Sequence, residues 1–147
     1  RYYDVQEAPT RMALSELCTL ADVGLHYERG YYNRQGEDQQ AMLSRDREAL
    51  ARIIGQPTFG CAAHMPGAYG TFSEQEIEAA GLDFEAYAPA FVQQRKYLSD
   101  SAKRWREGPL CRWLGSAEHF TVLIHPVWWT DWPEPTDQVI ERLQSGD

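Results

Sequence analysis

Apolar positions in this chain recur with two different spacings. Over GEDQQAMLSRDREALARIIG (36–55), Leu43, Leu50, Ile53 and Ile54 fall on one helical stripe, acids lie early and arginines late, and Gly55 suits the stop. That segment predicts the clearest helix. TRMALSELCTL (10–20) predicts another, with Thr10 as N-cap and Met12, Leu14, Leu17, Cys18 and Leu20 as its apolar positions. SEQEIEAAG (73–81) reads as a short capped helix ending at Gly81, and PEPTDQVIERLQ (133–144) as a final helix starting near Pro135 or Thr136. Between them DVGLHYE (22–28), TFGCAAH (58–64), KYLSD (96–100) and FTVLIH (120–125) predict strands, while residues 82–95 favour neither state.

Strands separated by helices imply parallel βα units, and mostly apolar strands suit a sheet covered on both faces. The chain has 147 residues, enough for one domain over 1–147 with one core. A closed (β/α) barrel takes about 250 residues and eight strands. The expectation is therefore an α/β fold, either a small open sheet or a partial (β/α) barrel lacking its first strand or strands.

Charge and cysteine content narrow the partners. The net charge of -8 argues against a nucleic-acid surface, and the basic cluster of Lys103, Arg104 and Arg106 is small. No apolar run approaches the roughly 20 residues that cross a bilayer, so no membrane span is expected. No signal peptide is visible; the chain starts with Arg, and an N-terminal segment is expected to be missing. Cys18, Cys61 and Cys111 form neither a metal motif nor a disulfide framework and read as buried free thiols, which favours a reducing, cytoplasmic location.

Chemistry gathers at the predicted strand ends. His26, His64 and His125 each close a strand, and Asp100 closes the remaining one. In parallel α/β folds these ends converge on one rim, where sites are built. Imidazole and carboxylate are ligands for zinc and related divalent ions, and a further histidine beside such a site serves as general acid or base. Each residue also has a plainer reading. A strand-end histidine can simply hydrogen-bond, His64 can cap the loop at Met65–Pro66–Gly67, and Asp100 can cap the turn before Ser101. His119 reads as surface. Trp128 and Trp129 would point to opposite sides of an extended segment, one packing and one offering a flat face to a ligand. Nothing in the sequence separates the roles of Trp105 and Trp113.

These segments have a family likeness. LADVGLHYE, IIGQPTFGCAAHMPG, KYLSDSAKRW and LIHPVWW resemble successive motifs of the polysaccharide deacetylase (NodB-like carbohydrate esterase) superfamily, nearest to a divergent bacterial branch with GLHY, SDS and HPxWW motifs. The likeness runs from about residue 10 to residue 132. It implies a distorted (β/α) barrel and metal-dependent hydrolysis of an acetyl group, usually N-acetyl, on a sugar or polysaccharide. It also implies His26 as a metal ligand, most often to zinc, His125 as general acid, and Asp100 as the group that holds the catalytic side chains; His64, in HMPG, stands where many members have an arginine–proline segment and is expected here to be a further ligand. Trp128, Trp129 and Tyr27 would contact the carbohydrate.

The chain departs from the family at two points. The second metal histidine, four residues after His26, falls at Gly30, and the paired aspartates that supply base and metal ligand have no counterpart, since no Asp-Asp pair occurs. This fits a chain lacking its first strand, whose site would be incomplete. Two other readings stand beside the deacetylase: a non-catalytic carbohydrate-binding domain on the same fold, and an unrelated metal-dependent hydrolase.

Overall fold

A computed structural model describes residues 6–129, 135, 138, 141 and 142. Most of the helix expected over 133–144 lies outside the described residues. The chain divides into two compact units, one reaching to Ala88 and one starting at Pro89.

The first unit opens with helix α1 (Ala8–Leu17) and continues through strand β1 (Leu25–Tyr27), helices α2 (Arg29–Gln35) and α3 (Gln39–Ile54), strand β2 (Gly60–Ala63), helices α4 (Pro66–Tyr69) and α5 (Glu74–Ala79), and strand β3 (Phe84–Glu85). The three strands pair in parallel in the order β1-β2-β3, with Leu25 opposite Cys61, Tyr27 opposite Ala63 and Gly60 opposite Phe84. Because strand side chains alternate, Tyr27, Cys61 and Ala63 share one face. That face joins Tyr32, Met42, Leu43, Phe72, Ile77, Ala80 and Leu82 in a buried core.

Local chemistry sets the helix limits. Asp38 caps α3 by accepting from Gln40 N at 3.0 Å, and Gly55 ends it with φ of 73°, in the left-handed region open to glycine. Of the stripe expected on this helix, Leu43 is buried while Leu50, Ile53 and Ile54 are half-buried; Met42 takes the other fully buried place. Ser73 and Glu76 form a reciprocal capping box on α5. Helix α2 has no apolar period to announce it, and β3 is two residues long, so the sequence pattern shows neither.

Buried Glu85 anchors β3. Its carboxylate accepts from Ala63 N at 2.9 Å and Tyr87 N at 2.6 Å. Burial pushes the carboxyl above the ordinary range, and these two bonds work against that. Burial also pushes the neighbouring Cys61 thiol up to about 12. On the opposite face of the sheet, the Phe84 ring lies so close over Gly60 that a Cβ there would meet it at 2.3 Å. A trough of about 310 Å³ runs along this face, lined in part by His26, Phe59, Ala62 and Phe84.

The second unit holds helix α6 (Pro89–Val92) and strands β4 (Lys96–Ser99) and β5 (Phe120–Leu123), which pair in parallel from Lys96 opposite Phe120 to Ser99 opposite Leu123. Thr121 Oγ1 donates to Phe91 O at 2.8 Å and ties β5 to α6. Leu98 is buried. Where four strands were expected, the described residues form five, all parallel, in a three-stranded and a two-stranded sheet. The described residues form no closed barrel.

Among the described residues no helix is long and apolar enough to cross a membrane. The three cysteines are free, but only Cys61 is buried as expected; Cys18 is half-buried and Cys111 is exposed on a single 3-10 turn.

Candidate functional site

In the first unit, His26 and His64 meet. His26 points away from the core because Leu25 and Tyr27, its neighbours on β1, face inward. His64 follows β2, and its backbone N donates to Tyr27 O at 2.7 Å, extending the ladder by one rung. This brings His64 Nδ1 to 3.4 Å from His26 Nε2, with the rings at 87°. Partial withdrawal from water lowers the pKa of His26. The adjacent His64 lowers it further, against a backbone hydrogen bond with Ala62. A neutral imidazole is the form that binds a metal.

Their spacing bears on zinc. Two nitrogens at about 2.0–2.1 Å from a tetrahedral zinc lie about 3.3–3.4 Å apart. The pair has that separation, which is equally that of a long hydrogen bond between the two rings. Catalytic zinc sites generally take three protein ligands, and among the described residues no group of three or more His, Cys, Asp or Glu side chains is placed to hold an ion. Gly30, where the family pattern has its second histidine, is buried under the Tyr69 ring, and a Cβ there would meet that ring at 2.8 Å. The imidazole beside His26 thus comes from the end of β2, not from α2.

In the second unit, Asp100 and His125 meet just beyond the paired ends of β4 and β5. Asp100 is 2% exposed. Its carboxylate accepts from His125 Nδ1 at 2.7 Å, His125 N at 2.9 Å and Trp129 Nε1 at 2.8 Å. Burial is the largest influence on this carboxyl and would raise it, but the three bonds together hold it below the ordinary aspartate value. Asp100 engages Nδ1 and leaves Nε2 as the other ring nitrogen of His125. Asp100 caps no helix through its side chain; it is bound to His125 instead.

The tryptophans of this segment converge. Pro126–Trp128 forms a 3-10 turn and not the extended backbone that would have sent Trp128 and Trp129 to opposite sides. Trp128 stacks on the His125 ring with centroids 4.2 Å apart and planes at 25°, and the Trp129 indole donates to Asp100. Trp129 remains 61% exposed. Its role as a donor was missed in the sequence; His–Pro followed by adjacent tryptophans is a signal for it only if the turn is foreseen. Tyr27, expected to contact substrate, is instead 1% exposed, with its ring beside Phe72 and Tyr32 and its hydroxyl accepting from Phe72 N at 3.2 Å. It has no open face for a sugar. His119 is exposed.

No protein-family model, curated protein or solved structure matches the chain.

Proposed function

We infer that the protein is a metal-dependent hydrolase that removes an acetyl group, N-acetyl before O-acetyl, from a sugar or polysaccharide, on a partial deacetylase-type (β/α) scaffold. The observation that carries this reading is the Asp100–His125 pair, a buried carboxylate holding an imidazole by Nδ1 with Nε2 left for proton transfer. The likeness of the GLHY, SDS and HPVWW segments to deacetylase motifs supplies the reaction class.

His26 and His64 would hold the ion, zinc by preference. When bound, it polarises the acyl carbonyl and lowers the pKa of water. His125 Nε2 would deliver a proton to the departing amine or alcohol, and Asp100 would stabilise the imidazolium form and fix its tautomer. Trp128 holds the imidazole plane by stacking. Trp129, exposed to solvent, would offer a flat face to the sugar.

A second reading, a carbohydrate-binding domain without catalysis, is favoured by Gly30 under Tyr69 and by the absence of an Asp-Asp pair. One calorimetric and kinetic series separates them. Zinc is titrated into the wild type, His26→Ala and His64→Ala, and acetate release from N-acetylated chitooligosaccharides is followed. The hydrolase reading expects both variants to lose zinc affinity at least tenfold, the scale seen when a metal-site interaction is lost, and expects acetate release to stop. Glycan binding that persists in chelator with no acetate released favours the binding domain. Equal zinc affinity in all three proteins removes the histidine pair from the site.

A further inference from the structure

The two tryptophans that flank the Gly108–Pro109 loop have different surroundings. Trp113 is held in place: its Nε1 donates to Glu107 O at 2.9 Å, and Lys96 Nζ sits 3.8 Å from its ring centre. Trp105 instead lines a cleft of about 260 Å³, together with Tyr97, Ser99, Ser101, Arg106 and Glu107. Tyr97 and Ser99 share a face of β4 because they are two residues apart, while Leu98 between them turns to the buried side. The Ser99 and Ser101 hydroxyl oxygens are 2.6 Å apart, and Ser101 N also donates to Ser99 Oγ at 3.1 Å.

The cleft lining carries one cation, Arg106, and one anion, Glu107. Glu107 is paired with Lys96. Arg106 is exposed and has no hydrogen-bond or ion-pair partner among the described residues, in a chain whose net charge is -8. Two aromatic side chains, two adjacent hydroxyls and one uncompensated guanidinium thus share one cleft. Aromatic rings suit the apolar faces of a pyranose, hydroxyls suit its hydroxyls, and the planar guanidinium fork matches a carboxylate. The volume lies just under the roughly 300–1,000 Å³ of pockets for drug-sized ligands, which suits a single ring.

We propose that this cleft binds one pyranose carrying a carboxylate, as in a uronic acid, with its ring against Trp105, its hydroxyls on Ser99 and Ser101, and its carboxylate on Arg106. The ligand class rests on the carbohydrate reading above, which it narrows to acidic glycans. Ser99 and Ser101 bracket Asp100, so one short segment carries both the cleft's hydroxyls and the carboxylate that holds His125.

The test is calorimetry of the full chain with glucuronate and with glucose, on the wild type, Arg106→Gln and Trp105→Ala. The wild type should bind glucuronate saturably and glucose about tenfold more weakly, the scale of one charge-assisted hydrogen bond. Arg106→Gln, at an exposed position that threatens no core packing, should bring glucuronate down to the affinity of glucose. Trp105→Ala should weaken both. Absence of saturable glucuronate binding, equal affinity for the two sugars in the wild type, or a preference for glucuronate that survives Arg106→Gln overturns the proposal. Acetate release measured on the same samples reports the hydrolase reading separately, since glucuronate binding in a protein that releases no acetate leaves the cleft standing and removes the reaction.

Discussion

Asp100 Oδ1 lies 2.7 Å from His125 Nδ1, and Oδ2 of the same carboxylate takes both the His125 backbone N–H and the Trp129 indole N–H. One nearly inaccessible carboxylate thus fixes the position, tautomer and neighbourhood of one imidazole. Replacing Asp100 by Asn keeps the shape but removes the charge and puts an amide donor where a pure acceptor stood. Under the hydrolase proposal, acetate release by the Asp100→Asn protein should fall about 10²–10⁴-fold in kcat, the usual contribution of positioned acid–base catalysis, with KM little changed. Steady-state acetate release at neutral pH checks this, and a kcat within a factor of three of wild type would contradict the assigned role.

The Trp129 bond to Asp100 gives a second prediction. Trp129→Phe keeps an aromatic ring and deletes the donor. Because the ring is 61% exposed, water can replace part of that bond, and the stability loss should be about 1 kcal/mol. The Asp100 carboxyl should move upward toward the ordinary range, since one of the three bonds that lower it is gone. Carbon-detected NMR titration of the side-chain carboxyl reads this, and an unmoved titration would show the indole to be a bystander.

Two buried carboxylates should bend the stability profile in opposite directions. Asp100 titrates below its ordinary value, so its contribution is complete above about pH 3.9 and is lost as pH falls through the folded value. Glu85 titrates above its ordinary value, so its contribution is complete below about pH 4.3 and is lost as pH rises through the folded value. Urea midpoints measured across the acid range should therefore show a shallower acid limb in Asp100→Asn and a shallower decline above it in Glu85→Gln. Parallel curves for wild type and both variants would contradict the two assignments.

Glu85→Gln should also lose stability outright. The carboxylate accepts one backbone N–H bond on each oxygen, from Ala63 on Oε1 and from Tyr87 on Oε2, and in glutamine one of those oxygens becomes an NH2 group that faces a donor. The buried unsatisfied donor that results should cost about 1–3 kcal/mol. Chemical denaturation near pH 7 measures it, and a neutral effect would mean that the strand can reseat Tyr87.

Gly60 should tolerate no side chain while Phe84 keeps its ring. The Cβ of Gly60→Ala would stand 2.3 Å from the ring edge, so Phe84 must turn out of place. Phe84 is 40% exposed and its ring can swing toward solvent, so the expected loss is about 1 kcal/mol, the low end for overpacked sites, with most of it recovered in the double variant Gly60→Ala, Phe84→Leu. If the two changes are simply additive in thermal melts, the contact is not the cause.

Much of this architecture was legible because it is locally encoded. Asp38 and Gly55 bound α3, and Ser73 with Glu76 starts α5, through side-chain and backbone preferences that act within one turn. Other parts were not legible for equally physical reasons. Helix α2 contains Gly30 and no apolar stripe, and its packing against Tyr69 depends on residues nearly forty positions away. Trp128 and Trp129 were misdirected because an extended backbone was expected where Pro126 begins a 3-10 turn. Tyr27 reads as a ring beside a histidine in sequence, yet strand alternation sends the two to opposite faces.

The sequence by itself determined the alternation of helices and short apolar strands, and it placed His64, Asp100 and His125 just past strand ends, because periodicity and capping are properties of neighbouring residues; His26, expected at an end, is the middle residue of β1. Only the tertiary structure decided the partners: His26 with His64, Asp100 with His125 and Trp129. Those pairings follow from strand register, set by bonds such as His64 N to Tyr27 O and Asp100 N to Leu123 O, and a slip of one residue would turn each side chain to the other face.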